Sequence, residues 1–181
     1  MKRSAALTVI MALALGALLS LGSPVLAEAQ VFPLFFEGGV GVIPVSSGVG
    51  QEPTADIVNR NIVRGVQPAG QIWVITDLSA DVEADGRIRV DGQGLLLGGG
   101  NNIGRNANAS VFATLICETV APFTERNTDA AGVPLEANGD FRIDDMLTPW
   151  PPEDCASPTL LIRNASNRGW FAAGIPEAPD M

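Results

Sequence analysis

The stretch Asp77-Leu78-Ser79-Ala80-Asp81-Val82-Glu83-Ala84-Asp85-Gly86-Arg87-Ile88-Arg89-Val90 decides the fold class of this chain. Leu78, Ala80 and Val82 alternate with Ser79, Asp81 and Glu83, the two-residue period of a strand with one face buried. The alternation reaches back to Trp73, so a strand is expected over 73–84. Asp85-Gly86 interrupts it and Arg87-Ile88-Arg89-Val90 resumes it. A two-residue turn would set Val82 against Arg89, mixing apolar and charged side chains on one face. A longer loop, with a type I turn and Gly86 in the left-handed region, sets Val82 against Ile88 and Ala80 against Val90. It also sets Glu83 against Arg87 and Asp81 against Arg89. The second register is expected because it sorts both faces.

The signature returns 53 residues later, where Glu136-Ala137-Asn138-Gly139-Asp140-Phe141-Arg142-Ile143-Asp144 follows Glu83 to Asp91 in type at nearly every position. The same turn would pair Leu135 with Phe141 and Val133 with Ile143. An echo follows each hairpin: Asn108-Ala109-Ser110 before Val111-Phe112-Ala113, and Asn164-Ala165-Ser166 before Trp170-Phe171-Ala172. An old duplication and convergent hairpin chemistry both account for it. As glycosylation sequons the two triplets would matter only in a glycosylating host.

Further strands are expected at Ser110 to Val120, where a nearly continuous apolar run marks the centre of a core, and at Thr159 to Arg163 and Gly169 to Ile175. About seven strands without a helix of normal length make an all-β, antiparallel β-sandwich of immunoglobulin type the expected architecture, with a small β-barrel as the alternative. Residues 30–70 are dense in Pro and Gly (Pro33, Gly38, Gly39, Pro44, Gly48, Gly50, Pro53) and are expected to form an irregular arm or linker, with a short turn or strand near Ile57 to Val63. The division is then a signal peptide over 1–29, the arm over 30–70, the β-domain over 71–176 and a tail over 177–181.

The signal peptide is read from Lys2-Arg3, the apolar run Ala5 to Leu21 and the small-residue sites at Ala27 and Ala29. Cleavage after either alanine leaves a secreted or periplasmic protein without a stable membrane anchor. It also removes Lys2, the chain's only lysine; with residues 1–29 gone, nine Arg stand against 19 acidic residues, a net charge of about −10. Such a chain repels nucleic acid. With no His and no remaining Lys, triad catalysis, Schiff-base chemistry and His-ligated metals are excluded. Carboxylates, Arg and hydroxyls are what is left. In an oxidising compartment Cys117 and Cys155 are expected to form one disulfide, closing a loop of about 39 residues.

Three constellations invite a functional reading. Asp81-x-Glu83-x-Asp85-Gly86-x-Ile88 has the first eight positions of a calcium loop, but Gly92 stands where the bidentate Glu is needed; the hairpin explains every residue. Glu136 opposite Asp140 would be a like-charge pair open to a cation. Gly98 to Arg105 lacks the Lys-Ser/Thr and the helix of a phosphate cradle. It is read instead as a polar connection, with Asn101, Asn102 and Arg105 as a candidate ligand loop. Trp73 and Trp170 fall in strands and are expected in the core. Trp150, between prolines, either covers the disulfide or is exposed, and is included with the ligand loop. No metal or cofactor is expected.

Thr124-Glu125-Arg126-Asn127-Thr128, Asn138 to Asp145, Pro151-Pro152-x-x-Cys155-Ala156-Ser157-Pro158, Leu161-Ile162-Arg163-Asn164 and Trp170-Phe171-Ala172 together resemble an uncharacterised group of exported bacterial proteins, over roughly residues 65–176. The resemblance implies a bacterial, exported origin and assigns no activity or site residue. The expected role is a non-enzymatic structural or binding β-protein with a protein or glycan partner. The alternative is a carbohydrate-binding module, or a carboxylate-based enzyme acting on glycans, with calcium as a stabilising option.

Overall fold

The computed structural model describes residues 30–49 and 57–177. The signal peptide expected over 1–29 falls outside the described residues. Nine strands form one antiparallel sheet: β1 (Leu34–Gly41), β2 (Asp77–Val82), β3 (Arg87–Gln93), β4 (Ser110–Ile116), β5 (Arg126–Asn127), β6 (Val133–Pro134), β7 (Phe141–Met146), β8 (Thr159–Asn164) and β9 (Trp170–Pro176). Their order is β5-β4-β8-β9-β1-β2-β3-β7, with β6 also paired to β4. No helix occurs among the described residues.

The sheet curls until its ends meet. Just past β7, Thr148 exchanges two backbone hydrogen bonds with Asn127 of β5, at 2.8 and 2.9 Å. The result is nearly a barrel, and it fits the small-barrel description as well as that of a sandwich with two facing layers. Inward positions line up across strands: Phe36 is opposite Ala80, Ala80 opposite Val90, and Val90 opposite Ile143. On the other side Leu115 faces Leu160, and Ala113 faces Ile162. All of these are buried in one apolar core. β4 is buried on both faces from Val111 to Ile116, as its continuous apolar run requires. Part of its outer side is covered by the segment around Arg64, whose guanidinium donates to the carbonyls of Ile116 and Ser157.

The first hairpin has the expected register. Val82 pairs with Ile88, Asp81 with Arg89 and Ala80 with Val90, and Gly86 has φ +85°. The second keeps the turn but not the arm. Glu136 N–H donates to the Asp140 carbonyl and Gly139 N–H to that of Glu136, as Glu83 and Gly86 do in the first. Beyond the turn, however, Leu135 N–H donates to Ala109, and Val133 pairs with Val111 on β4. The expected pairings of Leu135 with Phe141 and Val133 with Ile143 are therefore replaced. Pro134 has no N–H to give to a ladder, and β4 offers a deeper apolar surface.

The irregular arm expected over 30–70 is corrected by β1, which lies in the middle of the sheet between β9 and β2. Pro33 stands just ahead of the strand, where no ladder N–H is needed. Gly38, at φ +84°, sits where the register with β9 shifts, absorbing one residue as a bulge. Gly39 and Gly41 keep the inward face bare because the segment Trp73–Ile75 crosses over them: a Cβ on Gly39 would touch Ile75, and one on Gly41 would strike the Trp73 backbone. Of the turn and the strand expected as alternatives near Ile57 to Val63, the strand is formed, over Ile57–Arg60, paired with Val45–Val49.

The strand expected over 73–84 splits for the same reason. Trp73–Val74 leaves the wall and pairs with Leu96–Leu97, and β2 begins only at Asp77. Trp73 thereby caps one mouth of the barrel, stacked on Phe171 with ring centroids 3.8 Å apart.

Candidate functional site

Cys117 and Cys155 are bonded, with Cα atoms 4.6 Å apart, and both are buried. They lie just beyond the β4–β8 ladder, where Ser157 N–H also donates to the Cys117 carbonyl.

Close by, the buried guanidinium of Arg126 meets Glu118 at 2.9 Å and donates to the Thr124 and Trp150 carbonyls. Burial pushes the Glu118 carboxyl up. The Arg126 hydrogen bond, the N–H groups of Thr124 and of Glu118 itself, and the Arg126 charge more than offset this, holding it at about 2. A carboxyl whose folded pKa is depressed stabilises the fold above its unfolded value and loses that contribution as pH falls toward the folded one. Stability should therefore decline between about pH 4.5 and 2. In Glu118→Gln that part of the acid limb should vanish, which denaturant titrations at stepped pH will read. An unchanged limb would refute the assignment.

The residues of the candidate ligand loop are not brought together. Trp150 is 69% exposed and packs beside Gly86, at the turn between β2 and β3. Asn101, Asn102 and Arg105 are exposed on a loop that follows Leu96–Leu97, beyond the opposite ends of β2 and β3. That loop is fastened by reciprocal backbone bonds, Leu97 N–H to Arg105 and Gly104 N–H to Leu97.

One carboxylate in each acidic hairpin motif is engaged by the chain itself. Asp85 accepts from Arg87 N–H, and Asp140 accepts from Gly94 N–H and the Asn138 amide. A small cavity of about 170 Å³ is lined by Asp129, Asp144 and Asp145. Asp145 there takes the N–H groups of Asp129 and Met146, while Asp129 takes that of Ala131.

A depression of about 580 Å³ opens at the mouth capped by Trp73. Trp73 is its buried floor. Its walls are Ala107 to Ser110, Ala130-Ala131, Asn164 to Ser166, and Arg168. The two Asn-Ala-Ser segments thus meet side by side: Asn164 is opposite Val111, and Ala165 N–H donates to the Ser110 carbonyl at 2.8 Å. Ser110 Oγ and the Asn108 and Asn164 NH₂ groups make no hydrogen bond to the described residues and face solvent. Asn164 Oδ1 instead holds Ser166 through its N–H and hydroxyl.

Arg168 donates to the Ala130 carbonyl, and its guanidinium lies 5.1 Å from the Phe112 ring centroid. Arg163, paired to Glu125 at 2.6 Å, also lies against that ring, 5.3 Å from its centroid. Ala107, Asn108 and Arg168 are three of the four non-glycine residues with positive φ among those described. Such conformations cost on the order of 1 kcal/mol and persist where surrounding structure fixes them, often at ligand sites. Sequence reading noticed the repeated triplet but had no means to place its two copies together, since their contact depends on the β4–β8 pairing.

Compared with protein-family models, curated proteins and solved structures, the chain matches none.

Proposed function

We propose that the chain is an exported, non-enzymatic binding protein whose ligand seat is the Trp73-floored depression, taking a hydroxyl-rich ligand of the glycan type. The observation that carries the reading is the meeting of the two Asn-Ala-Ser segments along one wall of the cavity. Amides and hydroxyls separated by alanines offer both donors and acceptors without bulk, which is what a ring of sugar hydroxyls requires. No carboxylate lines the cavity, so the acid and base of glycoside hydrolysis have no counterpart there. Export is supported by the N-terminal pattern and by a buried disulfide that suits an oxidising compartment.

A glycan array probed with the chain from residue 30 onward tests this. A saturable hit is expected, weakened about tenfold by Asn164→Asp, which keeps the oxygens that hold Ser166 but removes the amide donor. No hit at all would overturn the reading. A hit lost in Trp150→Ala but unchanged in Asn164→Asp would move the seat to the far end of the barrel.

A further inference from the structure

A second depression, about 320 Å³, adjoins the first and shares Ala107 and Asn108 with it as a common wall. It is lined by Gly104, Arg105, Asn106 and Ala137 besides. The composite groove therefore carries Arg168 in one chamber, Arg105 in the other, and an amide-bearing ridge between them. No acidic side chain lines either chamber, although acidic residues outnumber basic ones 20 to 11 in the chain. The nearest acid in sequence to the first chamber, Asp129, turns its carboxylate onto Ala131 N–H. Neither arginine forms an ion pair among the described residues.

On a surface this acidic, two arginines without acidic partners along one groove are a local charge preference. It acts at short range, because charges more than about 8 Å away are screened at physiological salt. Guanidinium groups suit carboxylate and sulfate oxygens through paired N–H donors, while the amides between them suit hydroxyls. We infer that the groove binds an anionic glycan, an acidic polysaccharide segment lying across both chambers with its charged groups at Arg105 and Arg168. This rests on the binding reading above and adds to it the charge and extent of the ligand.

The test is titration of the chain from residue 30 onward with polygalacturonate, dextran sulfate, neutral dextran and single-stranded DNA. At least one of the two polyanionic glycans should bind in preference to dextran, and which of them does so separates carboxylate from sulfate recognition. Affinity should fall with added salt. It should drop about tenfold in Arg105→Gln and again in Arg168→Gln, with partial recovery in Arg105→Lys; unfolding midpoints near the parent value certify that the variants fold.

Dextran bound as well as the polyanions, and sensitive to Asn164→Asp but not to Arg105→Gln, would overturn the anionic assignment and leave the binding reading standing. Failure of both polyanions would overturn the assignment too, with the glycan array then judging the broader reading. DNA binding lost in Arg105→Gln would overturn the assignment to a glycan.

Discussion

Replacing Cys117 and Cys155 together by alanine should lower the unfolding free energy by about 4 kcal/mol and the thermal midpoint by roughly 8–16 °C. The bridge spans 38 residues, and a loop of that length, closed in the unfolded chain, removes conformational freedom worth about that amount. Beyond the last ladder pair, Thr159 with Ile116, the described backbone links between the two segments thin to the bond from Ser157 N–H to the Cys117 carbonyl, and Cys155 itself lies in the two-residue ladder with Gln30–Val31. Alanine is the replacement of choice because both sites are buried, where serine hydroxyls would add a desolvation penalty of their own. Calorimetry on the oxidised parent and the double variant measures the difference. A loss under about 1 kcal/mol would mean that the unfolded chain is already constrained without the bond.

Gly139→Ala should cost about 4 kcal/mol while Gly86→Ala costs about 1. The two glycines occupy the same step of the same turn, with φ of +87° and +85°, so the conformational penalty is shared. Their surroundings differ. A Cβ at Gly86 would find its nearest neighbour, Pro151, at 3.4 Å, whereas one at Gly139 would lie 2.6 Å from the Leu95 nitrogen and 2.7 Å from its carbonyl oxygen. Those are backbone atoms engaged with Gly139 itself, since Leu95 N–H donates to its carbonyl at 2.9 Å. Relief requires the strand connection to move. Chemical denaturation of both variants gives the comparison, and equal losses would show that left-handed strain alone governs both sites.

What the chain discloses before folding is local. The hairpin register at Val82 and Ile88 was legible because alternation, turn residues and charge pairing all agree within a few positions. The apolar run of β4 was legible for the same kind of reason, and the pairing of the two cysteines because there are only two of them. β1 was not: Gly38, Gly39 and Gly41 read as breakers, and their purpose appears only when Trp73 and Ile75 are seen lying across them. The requirement is tertiary and leaves no periodic trace. Trp150, whose exposure the sequence left open, is exposed, and the folded chain sends it and Arg105 to opposite ends. The repeated triplet was visible as a repeat alone, and only the ladder between β4 and β8 turns that repetition into one wall of the depression beside Trp73.

The placement of β1 between β9 and β2 has a consequence for how the molecule comes into being. The earliest long strand to be synthesised must wait for the last one, because one of its two flanks is filled only by residues 172–176. Vectorial emergence, from a ribosome or through a translocation channel, thus cannot deposit a finished N-terminal half, and contacts of such high sequence separation make for slow assembly. The topology itself therefore postpones closure of the sheet until the segment carrying residues 172–176 has emerged.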